Sequence, residues 1–131
     1  MRMNNLETPP GFEGDKNNIA IDFDGVIHNW DKGWHDGTCY GEPIEGSIDA
    51  IKVLHKKFNI IIFTAKARKD RPLVNGKSGN ELVIEWCKKY GILDYIDEIT
   101  SEKPRALIYI DDNGYRFDSW SKTMEYLTGR F

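Results

Sequence analysis

The chain predicts an α/β fold, a parallel sheet covered by helices on both faces, and three observations predict it. Apolar runs at 19–21, 59–63 and 106–110 each stop at a polar or turn residue, as buried strands do. Segments with apolar residues at helical spacing separate these runs, and strands alternating with helices argue for a parallel sheet. The residues able to carry chemistry, Asp22, Thr64, Thr100 and Asp111, fall at or just past the C-terminal ends of the runs. That edge is where open α/β sheets bind ligands.

Each element has its own justification. Residues 1–16 are polar, hold Pro9-Pro10-Gly11 and lack periodicity, so they read as a loose arm preceding one domain, 17–131. A strand at 18–23 is stopped by Gly25. The segment 26–46, with Gly33, Gly37, Gly41, Pro43 and Gly46 among aromatics, reads as a loop or small hairpin flap. Ile48, Ile51, Leu54 and Phe58 predict a helix over 47–58 with Ser47 as its N-cap. The second strand is 59–63, followed by a basic loop, 65–77. Ser78 and Glu81 form a capping-box pattern for a helix whose buried stripe is Leu82, Val83, Trp86, Cys87 and Tyr90, with Gly91 at its C′ position. Strands near 97–100 and 106–110 follow, then a helix over 119–127 presenting Trp120, Met124 and Leu127 inward.

Composition bounds the function. A chain of 131 residues allows one domain, and 40% apolar with 30% charged residues is the make-up of a globular protein. A net charge of -3 argues against general attraction to nucleic acid or anionic membrane, but not against a local basic patch. Cys39 and Cys87 form no C-x-x-C pair, so reduced thiols are the simpler reading and one disulfide the other. No apolar stretch approaches a membrane span and no signal-peptide core is present, so a cytoplasmic location without a membrane partner is expected.

The first strand carries the chemistry. Side chains alternate along a strand, so Asp22 and Asp24 are expected to leave on one side while Phe23 turns to the core. Two acids so placed call for a divalent cation, a phosphate-transfer site, or both. Thr64, Lys103 and Asp111-Asp112 would converge on the same crevice from other strand ends.

Asp22-Phe23-Asp24-Gly25-Val26, Phe63-Thr64-Ala65-Lys66, Ser101-Glu102-Lys103-Pro104 and the run from Tyr109 through Asp111-Asp112 to Phe117 together resemble the haloacid dehalogenase-like (HAD) hydrolase superfamily. The resemblance is to its small phosphatases of phage and bacterial type, over residues 18–127. It implies a three-layer, Rossmann-like parallel sheet with a small flap and no full cap domain. It implies a Mg2+-dependent phosphomonoester hydrolase in which Asp22 is the nucleophile, forming an aspartyl-phosphate that water hydrolyses. Asp24 would protonate the leaving oxygen and later deprotonate the water. Asp22, the Asp24 carbonyl and Asp111 would ligate Mg2+, with Asp112 direct or through water. Thr64 would bond a phosphoryl oxygen, and Lys103, held extended by Pro104, would neutralise charge on nucleophile and phosphoryl group. The acid at position 24 favours phosphate-ester hydrolysis over dehalogenation, and the chain has no spare length for the larger cap of a mutase.

Other readings stand beside this one. Receiver domains share the Asp, Thr and Lys chemistry, but their lysine comes last, whereas Lys103 precedes Asp111. A two-metal nuclease would use Asp22, Asp24, Asp111 and Asp112 and leave Lys103 and Thr64 idle. A phosphate-binding or regulatory module would keep the fold without turnover. His28, His35 and Cys39 fit no standard zinc spacing, and His55 reads as a surface helix residue. Trp30, Trp34 and Tyr40 either stack on a base or sugar or form the small core of a hairpin. Lys66, Arg68, Lys69, Arg71 and Lys77, against the single acid Asp70, either hold a phosphorylated substrate or form a solvated loop. Thr64, Ala65, Lys66, Arg68 and Lys103 are thus the substrate-binding candidates, Arg116 is another side chain in reach of the crevice, and no arginine directly follows Thr64. The substrate expected is a nucleotide or a polynucleotide end phosphate, with a sugar phosphate as the alternative.

Overall fold

The structure, a computed structural model, describes residues 18–111 and 117–130. The expected arm at 1–16, together with Asp112 and Arg116, lies outside the described residues. Four strands form one sheet: β1 (Asn18–Asp22), β2 (Asn59–Phe63), β3 (Glu98–Thr100) and β4 (Ile108–Ile110). Their order is β3-β2-β1-β4 and every pairing is parallel. Ile19, Ala20 and Ile21 point alternately to the two faces, and all three are fully buried, so both faces of the sheet are covered at its centre.

Three helices complete the α/β layers: α1 (Ser47–His55), α2 (Gly79–Lys89) and α3 (Trp120–Arg130). Among the described residues no helix is long and apolar enough to cross a membrane. Helix α2 starts with the expected capping box, Ser78 accepting from the Glu81 amide at 3.1 Å and Glu81 from the Ser78 amide at 3.2 Å. It ends with the Ile92 amide on the Cys87 carbonyl and the Gly91 amide on the Lys88 carbonyl, the Schellman arrangement that a left-handed Gly91 (φ 74) permits. In α3, Trp120 and Leu127 are buried and Met124 packs against the core.

Helix α1 departs from expectation. Its N-cap is Gly46, not Ser47, and Ser47 is the first helical residue, its hydroxyl buried without a hydrogen-bond partner. The reason is tertiary. Gly46 sits at φ 86, and a Cβ there would lie 2.9 Å from Cβ of Trp120, so the entry to α1 is moulded around α3. The helix also stops at His55, although the Phe58 amide still bonds the Leu54 carbonyl at 2.9 Å.

The segment 26–46 contains no strand. Two bonds close its base, Asn29 amide to Glu42 carbonyl at 2.9 Å and Ile44 amide to Ile27 carbonyl at 2.8 Å. Its tip is a series of turns pinned by Tyr40, whose hydroxyl accepts from the Lys32 amide at 2.9 Å and donates to the Gly33 carbonyl at 2.8 Å.

Candidate functional site

The strand order selects one crevice. The chain winds outward through β1, β2 and β3, then returns to lay β4 on the other side of β1. Such a reversal leaves a gap beyond the C-terminal ends of the two strands that flank it. Asp22 ends β1 and Asp111 directly follows β4. Ile21 is paired with Ile110, so these two acids are the next positions on adjacent parallel strands, about 4.8 Å apart along the sheet. Asp111 is buried and Asp22 half-buried. The Phe23 amide donates to Asp22 Oδ1 at 2.8 Å.

The strand does not continue to Asp24. The amides of Val26, Ile27 and His28 all turn back onto the Phe23 carbonyl, at 3.2, 2.9 and 2.9 Å, with Gly25 left-handed at φ 83. The orientation of Asp24 is therefore set by this turn and by side chains, not by strand alternation. Its Oδ1 lies 2.9 Å from His28 Nδ1 and its Oδ2 lies 3.1 Å from Lys66 Nζ. His28 Nε2 accepts from the Gly41 amide at 2.9 Å. An amide can only donate, so the ring proton sits on Nδ1 and is donated to Asp24. The chain of bonds continues, because the Gly41 carbonyl accepts from Trp86 Nε1 at 2.9 Å. Phe23 stacks flat on the buried His28 ring, centroids 5.1 Å apart. A Cβ on Gly41 would fall 2.0 Å from the Asn29 carbonyl oxygen, so only glycine lets this backbone approach so closely.

Thr64 follows β2, its amide bonded to the Thr100 carbonyl at 2.9 Å. Its buried Oγ1 accepts from the Lys66 amide at 3.2 Å, capping a short 3-10 turn, Ala65–Ala67. That turn sends Lys66 inward. Lys66 is only 2% exposed, and its ammonium lies between Asp24 and the Trp30 ring, 5.6 Å from the ring centroid. The basic loop is thus divided. Lys66 belongs to the crevice, Ala65 is exposed, and Arg68 and Asp70 form an exposed two-bond pair at 3.0 and 2.7 Å. Hydrogen bonding from Arg68 holds the Asp70 carboxyl below its ordinary range. Lys77 pairs with Glu85 at 2.6 Å, and Arg71 stacks 4.5 Å from the Trp34 centroid.

Lys103 follows β3 on the loop that leads to β4. It is exposed, with its ammonium 4.4 Å from the Tyr109 ring centroid, while the Tyr109 hydroxyl donates to the Pro104 carbonyl and ties this loop to β4. Asp112, the other metal candidate, lies outside the described residues. Among the described residues no group of three or more His, Cys, Asp and Glu is arranged to hold a metal ion, and both His28 nitrogens are occupied by hydrogen bonds. Cys39 and Cys87 are free thiols, each pushed up to about 12 by burial. His55, half-buried, meets Tyr95 edge-on and lies 3.8 Å from Asp97.

Sequence reasoning weighed His28 only as a zinc ligand and read Gly41 as a flap turn and Trp86 as core, so it gave none of the three a part in the crevice. One signal was available: Asp24 and His28 are four residues apart across a glycine turn. No family model, curated protein or solved structure matches the chain.

Proposed function

We propose that the protein is a Mg2+-dependent phosphomonoester hydrolase of the HAD-like type, acting through an aspartyl-phosphate on Asp22, with a nucleotide or polynucleotide end phosphate as substrate. The observation that carries the reading is that Asp22 and Asp111 directly follow the paired Ile21 and Ile110 at the reversal of strand order, with Asp24 nearby in the chain engaged on both carboxylate oxygens. The donor set suits Mg2+, which takes hard oxygen ligands and needs only one or two carboxylates besides water and phosphate. Asp22 and Asp111 would hold it, and when bound it would offset charge on the phosphoryl oxygens.

The chain's own groups then divide the work. Asp22 attacks phosphorus as the ester oxygen departs with a proton from Asp24. Asp24 next takes a proton from the water that attacks phosphorus, releasing phosphate and restoring the Asp22 carboxylate. His28 keeps Asp24 in one orientation through this exchange. Lys66 divides its ammonium between Asp24 and the incoming dianion, so substrate binding loosens the proton-carrying oxygen at the moment it is needed. Thr64 still has its hydroxyl hydrogen to donate, since its oxygen serves as the acceptor for Lys66.

The test is hydrolysis of p-nitrophenyl phosphate with Mg2+ and with EDTA, for the wild type and Asp22→Asn. Turnover should require the metal and fall to background in the variant. Asp22→Asn with near-normal turnover would refute the aspartyl-phosphate route, and a wild type inert toward every phosphate ester offered would refute hydrolysis itself.

A further inference from the structure

Among the described residues four large apolar side chains are exposed, and three of them belong to the flap and the loop packed against it: Trp30 at 41%, Trp34 at 48% and Leu73 at 65%. Trp30 and Trp34 lie on the flap, and Leu73 lies on the loop that faces it. The two segments form one surface. A Cβ on Gly37 would lie 2.9 Å from both Trp34 Cζ2 and Val74 Cγ2, so flap and loop are packed together there. Arg71 covers the Trp34 ring, and the crevice lysine, Lys66, faces the Trp30 ring.

The presentation of the two indoles is built in. Trp30 and Trp34 open successive turns, closed by the Gly33 amide on the Trp30 carbonyl at 3.0 Å and the Gly37 amide on the Trp34 carbonyl at 2.7 Å. The Tyr40 hydroxyl fastens the first of these turns on both sides. Arg71, which covers Trp34, also lines a groove of about 790 Å³ that runs along Lys69, the Arg68–Asp70 pair and Leu73 to Thr100 and Glu102. Thr100 is two strands from Asp22 through the pairings Asp22 with Phe63 and Phe63 with Thr100, which is about 10 Å. Lys66 is buried against Asp24, and Arg68 and Lys77 are paired with Asp70 and Glu85, so Lys69 and Arg71 supply the positive charge of this surface, with Glu102 at the groove's far end.

We infer that this surface binds single-stranded nucleic acid, whose terminal phosphate enters the Asp22–Asp24 crevice. The inference rests on the phosphatase reading and names its substrate class. Stacked arginine and exposed indole suit unpaired bases, because every base offers a π-face and the guanidinium keeps its edge for a phosphate. A duplex keeps its bases stacked on one another and has no face to offer the indoles. A mononucleotide fills the crevice but leaves Trp34, Arg71 and the groove without a ligand.

The test uses octathymidylate carrying a 5′ phosphate, a 3′ phosphate or neither, with a blunt, GC-rich self-complementary duplex carrying the same end phosphates as control, titrated against intrinsic tryptophan fluorescence. Trp86 and Trp120 are buried, so quenching by a stacked base reports Trp30 and Trp34. One end-phosphorylated single strand should bind and quench. Trp34→Ala and Arg71→Ser should each weaken binding about tenfold, Arg71→Ser also lowering the salt slope by about 0.7, one phosphate contact. Both variants should hydrolyse p-nitrophenyl phosphate like the wild type. Equal affinity for duplex, or unaltered binding in both variants, overturns the inference. So does self-association by sedimentation that Trp34→Ala abolishes, with no strand bound. Oligonucleotide binding without hydrolysis of any phosphate ester upholds the surface and refutes the phosphatase reading, whereas aryl phosphate turnover without oligonucleotide binding does the reverse.

Discussion

Replacing His28 by Phe keeps a flat ring of similar size against Phe23 and removes every hydrogen bond the imidazole makes. Two losses follow. The Gly41 amide is left without its acceptor, which costs about 1–3 kcal/mol for a buried group, at the lower end here because Gly41 is half-buried. Asp24 loses its Nδ1–H donor, about 1–2 kcal/mol for a charge-assisted bond whose acceptor is partly solvated and still paired with Lys66. The sum is roughly 2–4 kcal/mol, a large share of a typical domain's stability. For a chain of this size each kcal/mol moves Tm by about 3–5 °C, so His28→Phe should melt roughly 6–20 °C lower. Urea unfolding checks the energy. Long-range nitrogen NMR of the wild type checks its cause, since the imidazole should carry its proton on Nδ1. A loss below about 0.5 kcal/mol, or a proton found on Nε2, would refute the bonding chain from Asp24 to Trp86.

Two further outcomes follow from local geometry and burial. Gly79→Ala places a Cβ 1.7 Å from the Lys66 carbonyl oxygen and should destabilise by about 2 kcal/mol or more, whereas Gly129→Ala, open on all sides within α3, should stabilise by about 0.5–1 kcal/mol in the same urea assay. The thiols of Cys39 and Cys87 titrate near 12 in the folded chain against 9.0 unperturbed. Above pH 9 the unfolded state therefore holds fewer protons, so their contribution is complete below pH 9 and is lost as pH rises toward 12. Unfolding midpoints from pH 7 to 10.5 should fall more steeply in the wild type than in a Cys39→Ala, Cys87→Ala double variant.

What was legible from the residues was largely local. The run 59–63 became β2 unchanged, and the Ser78–Glu81 box and Gly91 delimit α2, because caps and apolar runs act over a few positions. Even the strand limits at 97 and 106–107 have a trace, since the Asp97 and Leu107 amides extend the ladders to the Ile60 and Asn18 carbonyls. The rest depended on distant partners. Ser47 looked like a cap until Trp120, far along the chain, fixed Gly46 against it. Lys66 looked like one more loop cation, yet the Thr64 cap and the Gly79 contact turn it inward to Asp24. His28 sat in a glycine-rich loop with no periodicity to mark it, and only the approach of Gly41 gives its second nitrogen a partner. Such pairings are written in tertiary space, where spacing along the chain carries no trace of them.

The two bonds at the base of the flap, Asn29 to Glu42 and Ile44 to Ile27, divide that segment mechanically. At the stem itself Gly41, next to Glu42, joins α2 to the acid through His28, so a movement there is transmitted to the Asp24 carboxylate. Beyond it, the turns at 30–38 hang from a closed stem and answer to Tyr40, to Arg71 on the loop and, through Trp30, to Lys66. The tip is therefore a replaceable part. Past Trp30, its length and aromatics can be exchanged for others suited to another substrate while His28 and Lys66 keep the acid's aim, and the same stem would serve each version.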